Sequence, residues 1–355
     1  LLDLGLTPWL GAALVEAVPL LLPAVHGSFG LFQAGSLLQD WPTRLKPFWQ
    51  SLQCGVLAGN GELPLHYYAH HTPGAHQAIV ISSGRMEMAV KYAELCYELV
   101  HAGYSVFLLD HRGQGLSGRE LDNPDKGYVA DFALYHQDMD LFIRTIVQPS
   151  AHQQYLALGH SMGCAILAGY IQHYRHPFSA AIFASPMFGI YTGLVPTTLA
   201  EALALAFGAV NRRLSPVPWY FPGQSNYREK AFANNPLTSS IERYHWLHQL
   251  YREHPKARLG GVTTYWVQAA ISAMRTIQAE AANWSLPVLL LQAAADKVVS
   301  NHGQNQWFSQ LAPQLLHQKV VLPDARHEIF METDTLRQQA INAINVFLRQ
   351  LPASR

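Results

Sequence analysis

At 355 residues the chain is long enough for one large α/β domain with an inserted subdomain, or for two ordinary domains. Apolar residues make up 49% and charged residues only 14%, which leaves room for a large core and for apolar exposed surface such as a lipid-facing mouth. Lys+Arg and Asp+Glu balance at 24 each, so no electrostatic argument favours nucleic acid or a strongly anionic surface.

The chain opens on Leu1, which reads as a trimmed, processed or truncated start. Residues 1–44 form an apolar N-terminal segment. From Leu4 to Ala24 it is strongly apolar, but Pro8, Pro19, Pro23 and Glu16 interrupt it. No Lys or Arg precedes Arg44, so the charged start of a signal peptide is missing. Thr7-Pro8 reads as an N-cap followed by a first-turn proline, opening a short helix that Pro19 stops. Such a helix either packs on the body or lies in a membrane interface; the prolines argue against a clean span.

Leu52–Leu57 and Leu65–Ala69 read as strands around the turn signal Gly59-Asn60-Gly61. Short apolar runs then alternate with helical patterns. Ala78–Ile81 precedes a helix near Met86–Ala102, Val106–Leu109 one near Tyr128–Val147, and Tyr155–Leu158 one at Met162–Arg175; Ala180–Ala184 follows. Continuous apolar strands, each followed by a helix, predict a parallel sheet covered on both faces. Right-handed crossovers collect the strand C-terminal ends on one edge, where open sheets carry their sites.

The alternation stops at Ser185-Pro186 and resumes at Val288–Gln292, with a helix near Gln304–Leu311, a strand at Lys319–Leu322 and a final helix over Thr335–Leu351. The interval is too long for a crossover loop. The expected organisation is therefore core residues 45–186, an inserted helical cap over 187–284, and core residues 285–355. Cys54, Cys96 and Cys164 form neither a disulfide framework nor a metal spacing, and Cys96 and Cys164 fall in apolar helical patterns. The 18 histidines are scattered, without a H-x-x-x-H pair that has a matching acid, so neither metal nor other cofactor is expected.

Gly159-His160-Ser161-Met162-Gly163 is a G-x-S-x-G pattern entered by a strand and left by a helix. A sharp strand-to-helix turn needs small flanks, and it lifts the serine hydroxyl clear of the sheet. A serine is a poor nucleophile until a base takes its proton. His327, in the loop after the last strand, is the expected base; His302 and His317 lie near or within helices, and His160 adjoins Ser161 and should point elsewhere. Asp296, after Val288–Gln292, is the expected orienting acid, ahead of Asp324, which is too close to His327 in sequence; Asp296 also reads as a helix N-cap. The expected oxyanion donors are the backbone N–H groups of Met162 and Arg85. The Arg85 side chain has three readings: a phosphate partner, a partner for Glu87, or a solvated helix cap. The glycine-rich Asp110–Gly118 loop fits no phosphate-binding pattern and reads as a brace for the site floor.

These motifs together resemble the monoacylglycerol lipases and bacterial lysophospholipases of the α/β-hydrolases. Gly159–Gly163, Asp110-His111-Arg112-Gly113-Gln114-Gly115 and Ser83-Gly84-Arg85-Met86-Glu87 with Lys91-Tyr92-Ala93-Glu94-Leu95 carry the likeness. Ser185-Pro186-Met187-Phe188-Gly189, Leu237-Thr238-Ser239-Ser240, Glu242-Arg243-Tyr244, Gly260-Gly261 and Thr264-Tyr265-Trp266-Val267 look closer to the lysophospholipases. It spans about residues 45–350. It implies an α/β-hydrolase fold, a mostly parallel sheet with helices on both faces and a helical cap. It also implies a catalytic triad of Ser161, Asp296 and His327 that cleaves a single acyl ester on a glycerol backbone. Ser83-Gly84 stands where many such lipases have His-Gly, so contacts made by that histidine do not carry over.

The expected partner is a lipid with one acyl chain, bound in a tunnel lined by Phe188, Leu194, Trp219, Phe221, Tyr265 and Trp266; the same side chains also read as the cap's own core. Peripheral membrane contact, at the cytoplasmic face of a bacterial inner membrane or from the cytoplasm, goes with that substrate; the oligomeric state stays open. Three readings compete with a lysophospholipase: a monoacylglycerol lipase or general carboxylesterase, acyl transfer to an alcohol, and a non-catalytic lipid binder on a hydrolase scaffold.

Overall fold

The computed structural model describes residues 32–352. The helix expected from Thr7-Pro8 and most of the apolar N-terminal segment lie outside the described residues. Eight strands make one sheet in the order β1-β2-β4-β3-β5-β6-β7-β8. β1 (Gln53–Ala58) and β2 (Pro64–His70) form the antiparallel hairpin at one edge, closed by a single turn in which Gly61 takes a φ of 75°. β2 pairs antiparallel with β4 (Ser105–Leu109); from β4 onward every pairing is parallel, through β3 (Gln77–Ser82), β5 (Gln154–His160), β6 (Phe178–Ala184), β7 (Val288–Ala293) and β8 (His317–Leu322).

The apolar runs are continuous because both sheet faces are covered. Ile79, Ile81, Leu156, Leu158 and Ile182 point into one core, and Ala78, Val80, Tyr155, Ala157 and Phe183 into the other. Each large side chain so buried contributes about 1.5–3 kcal/mol. Cys96 and Cys164 are fully buried in these cores.

In chain order the helices are α1 (Leu37–Asp40), α2 (Lys46–Ser51), α3 (Ala93–His101), α4 (Ala133–Phe142), α5 (Met162–His173), α6 (Thr197–Leu214), α7 (Ile241–Glu253), α8 (Thr264–Ala279), α9 (Asn301–Ser309) and α10 (Asp334–Gln350). The pattern near Met86–Ala102 begins as helix only at Ala89, in a 3₁₀ turn before α3, because Gly84–Met88 is spent on an irregular loop. That near Tyr128–Val147 starts at Ala133 and ends in a π turn over Ile143–Val147. His317, read as near a helix, opens β8 instead. α6, α7 and α8 all fall between β6 and β7, where the described chain has isolated bridges but no strand. No helix among the described residues is long and apolar enough to cross a membrane.

Candidate active site

β5 ends at His160 and α5 begins at Met162, so Ser161 alone makes the turn between them, with φ 51° and ψ −116°. The turn closes because its flanks carry no Cβ. One at Gly163 would stand 2.0 Å from the Ser82 carbonyl oxygen, and one at Gly159 would stand 2.9 Å from Cys164 Cα. The close approach at Gly163 presses the turn against the loop after β3, which carries Arg85. Met162 N–H, in the first turn of α5, is among the helix-start donors without an intrahelical partner.

Ser161, Asp296 and His327 come from three separate strand ends and meet. His327 Nε2 lies 2.9 Å from Ser161 Oγ, and His327 Nδ1 lies 2.8 Å from Asp296 Oδ2. All three side chains are buried. An Nδ1–H donated to the carboxylate leaves Nε2 free to accept the serine proton. The other Asp296 oxygen accepts from the N–H groups of Val298, at 2.7 Å, and Val299, at 3.1 Å. One carboxylate thus fixes its own loop and the imidazole, while the N-cap of α9 is Ser300. Of the rivals, His302 lies within α9, and Asp296 rather than Asp324 meets the ring.

The loop from Asp110 to Gly118 braces this floor. Asp110 accepts from Ala89 N–H at 2.7 Å and Leu116 N–H at 2.9 Å, and Gln114 Nε2 donates to the Gly84 carbonyl at 2.7 Å. Burial pushes the Asp110 carboxyl up to about 6. His111, whose ring lies 2.9 Å from Ser82 Oγ, is held down to about 4 by burial.

Behind the triad lies a buried charge network that the motifs did not announce. Glu87 accepts from Gly84 N–H at 2.7 Å and Tyr92 O–H at 2.6 Å, and meets His160 Nδ1 at 2.7 Å. His160 Nε2 donates to the His327 carbonyl at 3.1 Å. Lys91 Nζ lies between Glu87, at 2.9 Å, and Glu328. Burial opposes the charge on Glu87, but Lys91 and His160 outweigh it and hold its carboxyl well below the usual range. Burial likewise opposes charge on His160, and Glu87 and Glu328 raise its imidazole regardless. Glu87, His160 and Glu328 are spaced as a metal site would need, but the ammonium of Lys91 already supplies the cation. The network ties the Gly84 loop to the His327 backbone.

The expected tunnel residues scatter. Phe188 packs in the core against Phe183 and Trp307, at ring distances of 5.7 and 4.6 Å. Leu194 is fully exposed, so it lines no enclosed channel here. Trp219 and Phe221 are half-buried beside Phe207, Tyr265 lies tilted near Tyr128 with Arg212 over its face, and Trp266 is buried against Phe132 and Arg85. Arg85 makes no pair with Glu87; its Nη1 donates to the Gly260 carbonyl at 3.0 Å.

A buried Ser–His–Asp relay at a strand-to-helix turn, on the C-terminal edge of a parallel sheet, defines a serine hydrolase of the α/β-hydrolase fold. Residues 73–334 match the family described as serine aminopeptidase, S33, and the chain belongs to that family. It is 34% identical over 328 residues to lysophospholipase L2 of Escherichia coli strain K12, covering 88% of this chain and 95% of that protein. It is 24% identical over 257 residues to the monoacylglycerol lipase of Mycolicibacterium smegmatis, covering 72% and 82%. Among solved structures, a soluble variant of the monoglyceride lipase of Saccharomyces cerevisiae, in complex with a substrate analogue, superposes with a TM-score of 0.65 at 17% identity, over 85% of this chain and 97% of that one. The motif resemblance to the lysophospholipase and monoacylglycerol lipase branch therefore holds.

Proposed function

We propose that the chain is a lysophospholipase that removes the single acyl chain of a lysophospholipid through an acyl-enzyme. The observation that carries this is the unbroken relay Ser161 Oγ–His327 Nε2–Asp296 Oδ2, with steps of 2.9 and 2.8 Å. Ser161 attacks the ester carbonyl while His327 takes its proton. The N–H groups of Arg85 and Met162 hold the oxyanion, each such donor being worth about 10²–10³ in rate. His327 then returns the proton to the leaving glycerol oxygen, and water repeats the sequence on the acyl-enzyme. Similarity to lysophospholipase L2 along nearly the whole chain supports the phospholipid reading over a neutral ester.

Residues 187–284 act as a cap over the strand edge, with Trp219, Phe221, Tyr265 and Trp266 beside the acyl chain. Support comes from the loops that join this stretch to the site: Glu328 N–H donates to the Leu237 carbonyl at 2.8 Å, and Arg85 Nη1 to that of Gly260 at 3.0 Å. Leu194 belongs to the outer surface, and Leu199, Leu203, Val210 and Leu214 form an exposed stripe along α6. This stripe suits peripheral contact with a lipid surface.

The test is turnover on paired lysophosphatidylcholine and monoacylglycerol of equal acyl length, with fluorophosphonate labelling of wild type and Ser161→Ala. Faster cleavage of the phospholipid and labelling lost with Ser161 are expected. Faster cleavage of the monoacylglycerol would replace this reading with the lipase one, and an unlabelled Ser161 would leave only a lipid binder.

A further inference from the structure

Buried arginines in this protein are matched to carboxylates. Arg112 meets Asp138 at 2.6 Å, Arg243 meets Glu94 at 2.8 Å, and Arg337 meets Glu98 at 2.7 Å. Arg85, beside the site, has no such partner. It is half-buried, and no carboxylate among the described residues lies within ion-pair distance of it. Its neighbours include the Gly260 carbonyl at 3.0 Å, Met86 Sδ at 2.9 Å and the face of Trp266 at 5.7 Å, with the Tyr135 and Tyr251 phenols near enough to favour its charge. Of five guanidinium N–H donors, the carbonyl takes one and the sulfur a second. The rest have no acceptor among the described residues. Burial lowers this group to about 10, which leaves it charged at neutral pH.

A partly desolvated cation without a protein counter-charge gains when a ligand supplies one. The position says which ligand. Resting on the hole assignment of the proposed function, the backbone N–H of Arg85 touches the oxyanion of the reacting ester. As many covalent bonds separate that nitrogen from the guanidinium carbon as separate the ester carbonyl carbon of a 1-acyl glycerophospholipid from its phosphorus. One residue thus has the length to span the glycerol unit.

We propose that the Arg85 guanidinium, unpaired within the protein and braced by Gly260 and Trp266, binds the phosphate of the substrate head group and sets the preference for phospholipid over neutral glyceride. A guanidinium suits this because it meets phosphate with two parallel, charge-assisted hydrogen bonds. A lysine at this position keeps the charge but loses the fork.

Two measurements on wild type, Arg85→Gln and Arg85→Lys test this. In the first, glycerol 3-phosphate competes against hydrolysis of a short neutral p-nitrophenyl ester. Inhibition is expected in wild type, weaker by about tenfold or more in Arg85→Gln, and intermediate in Arg85→Lys. This arm needs no lysophospholipase activity, so it separates failure of the anion site from failure of the proposed substrate. In the second, kcat/KM is measured on lysophosphatidylcholine and monoacylglycerol of equal acyl length. The ratio between them should fall about tenfold to hundredfold in Arg85→Gln, chiefly through KM. Equal loss on both substrates, with glycerol 3-phosphate binding unchanged, would show that Arg85 only braces the Gly260 loop and would overturn the proposal. A thermal melt accompanies each variant, and Arg85→Lys carries the test if Arg85→Gln does not fold.

Discussion

Replacing Lys91 by Met removes one ammonium from between two buried carboxylates. In the wild type the negative charges of Glu87 and Glu328 are balanced by Lys91 and by His160, whose imidazole is raised towards the charged form. Lys91 and both glutamates are nearly inaccessible, with side-chain exposures of 3%, 4% and 9%, so solvent screens little of the loss. Breaking a buried pair by removing one partner costs about 3–5 kcal/mol, and that range is expected here. The variant also gains a pH dependence of defined sign. Its folded state keeps a proton on one carboxyl near neutrality, which the unfolded chain releases above about 4.3. The folded state then binds more protons than the unfolded state, so stability falls as pH rises. The wild-type contribution of Glu87, held low, has the opposite sign and is lost in acid. Urea unfolding followed by tryptophan fluorescence between pH 5 and 8 measures both effects. Lys91→Met with Glu328→Gln should recover more than half of the loss. A single-variant loss under about 1 kcal/mol, or one indifferent to pH, would refute the charge-balance reasoning.

Asp296→Asn should fold normally and lower kcat by about 10⁴, since the amide reverses the hydrogen bond that selects the His327 tautomer; a loss under tenfold on a short ester would contradict the role given to this carboxylate. Gly163→Ala sets a methyl 2.0 Å from the Ser82 carbonyl oxygen, so the variant should aggregate or show no hydrolysis, and wild-type activity and melting together would disprove the close approach. His111 and His136 are each held down to about 4 by burial and are neutral when folded. Unfolded, they charge near 6.5, so stability is full above that pH and declines towards 4. His111→Gln should flatten that decline in pH-dependent urea titrations, and an unchanged slope would count against the assignment.

The sheet was readable because strands buried on both faces appear as unbroken apolar runs; β3, β5, β6 and β7 stand within two residues of their expected places. The meeting of Ser161, Asp296 and His327 was readable because each follows a strand in a parallel sheet, and such strands end at one edge. The network around Lys91 left no comparable mark. Glu87, Lys91, Glu94 and Glu98 recur at helical spacing, which looks the same for a solvated helix face. Their burial follows from partners far along the chain, Arg243, Glu328 and Arg337, and only the tertiary fold brings those near. Phe188 and Leu194 show the same blindness for apolar residues: one packs inside and the other faces outward, and hydropathy alone treats them alike.

The left-handed backbone at Ser161 has a consequence for stability. A residue with a side chain held there strains the fold by about 1–3 kcal/mol, and glycine would relieve much of it. Ser161→Gly would then be inert and yet harder to melt than Ser161→Ala. The hydroxyl is therefore held at a position where the backbone alone would prefer glycine.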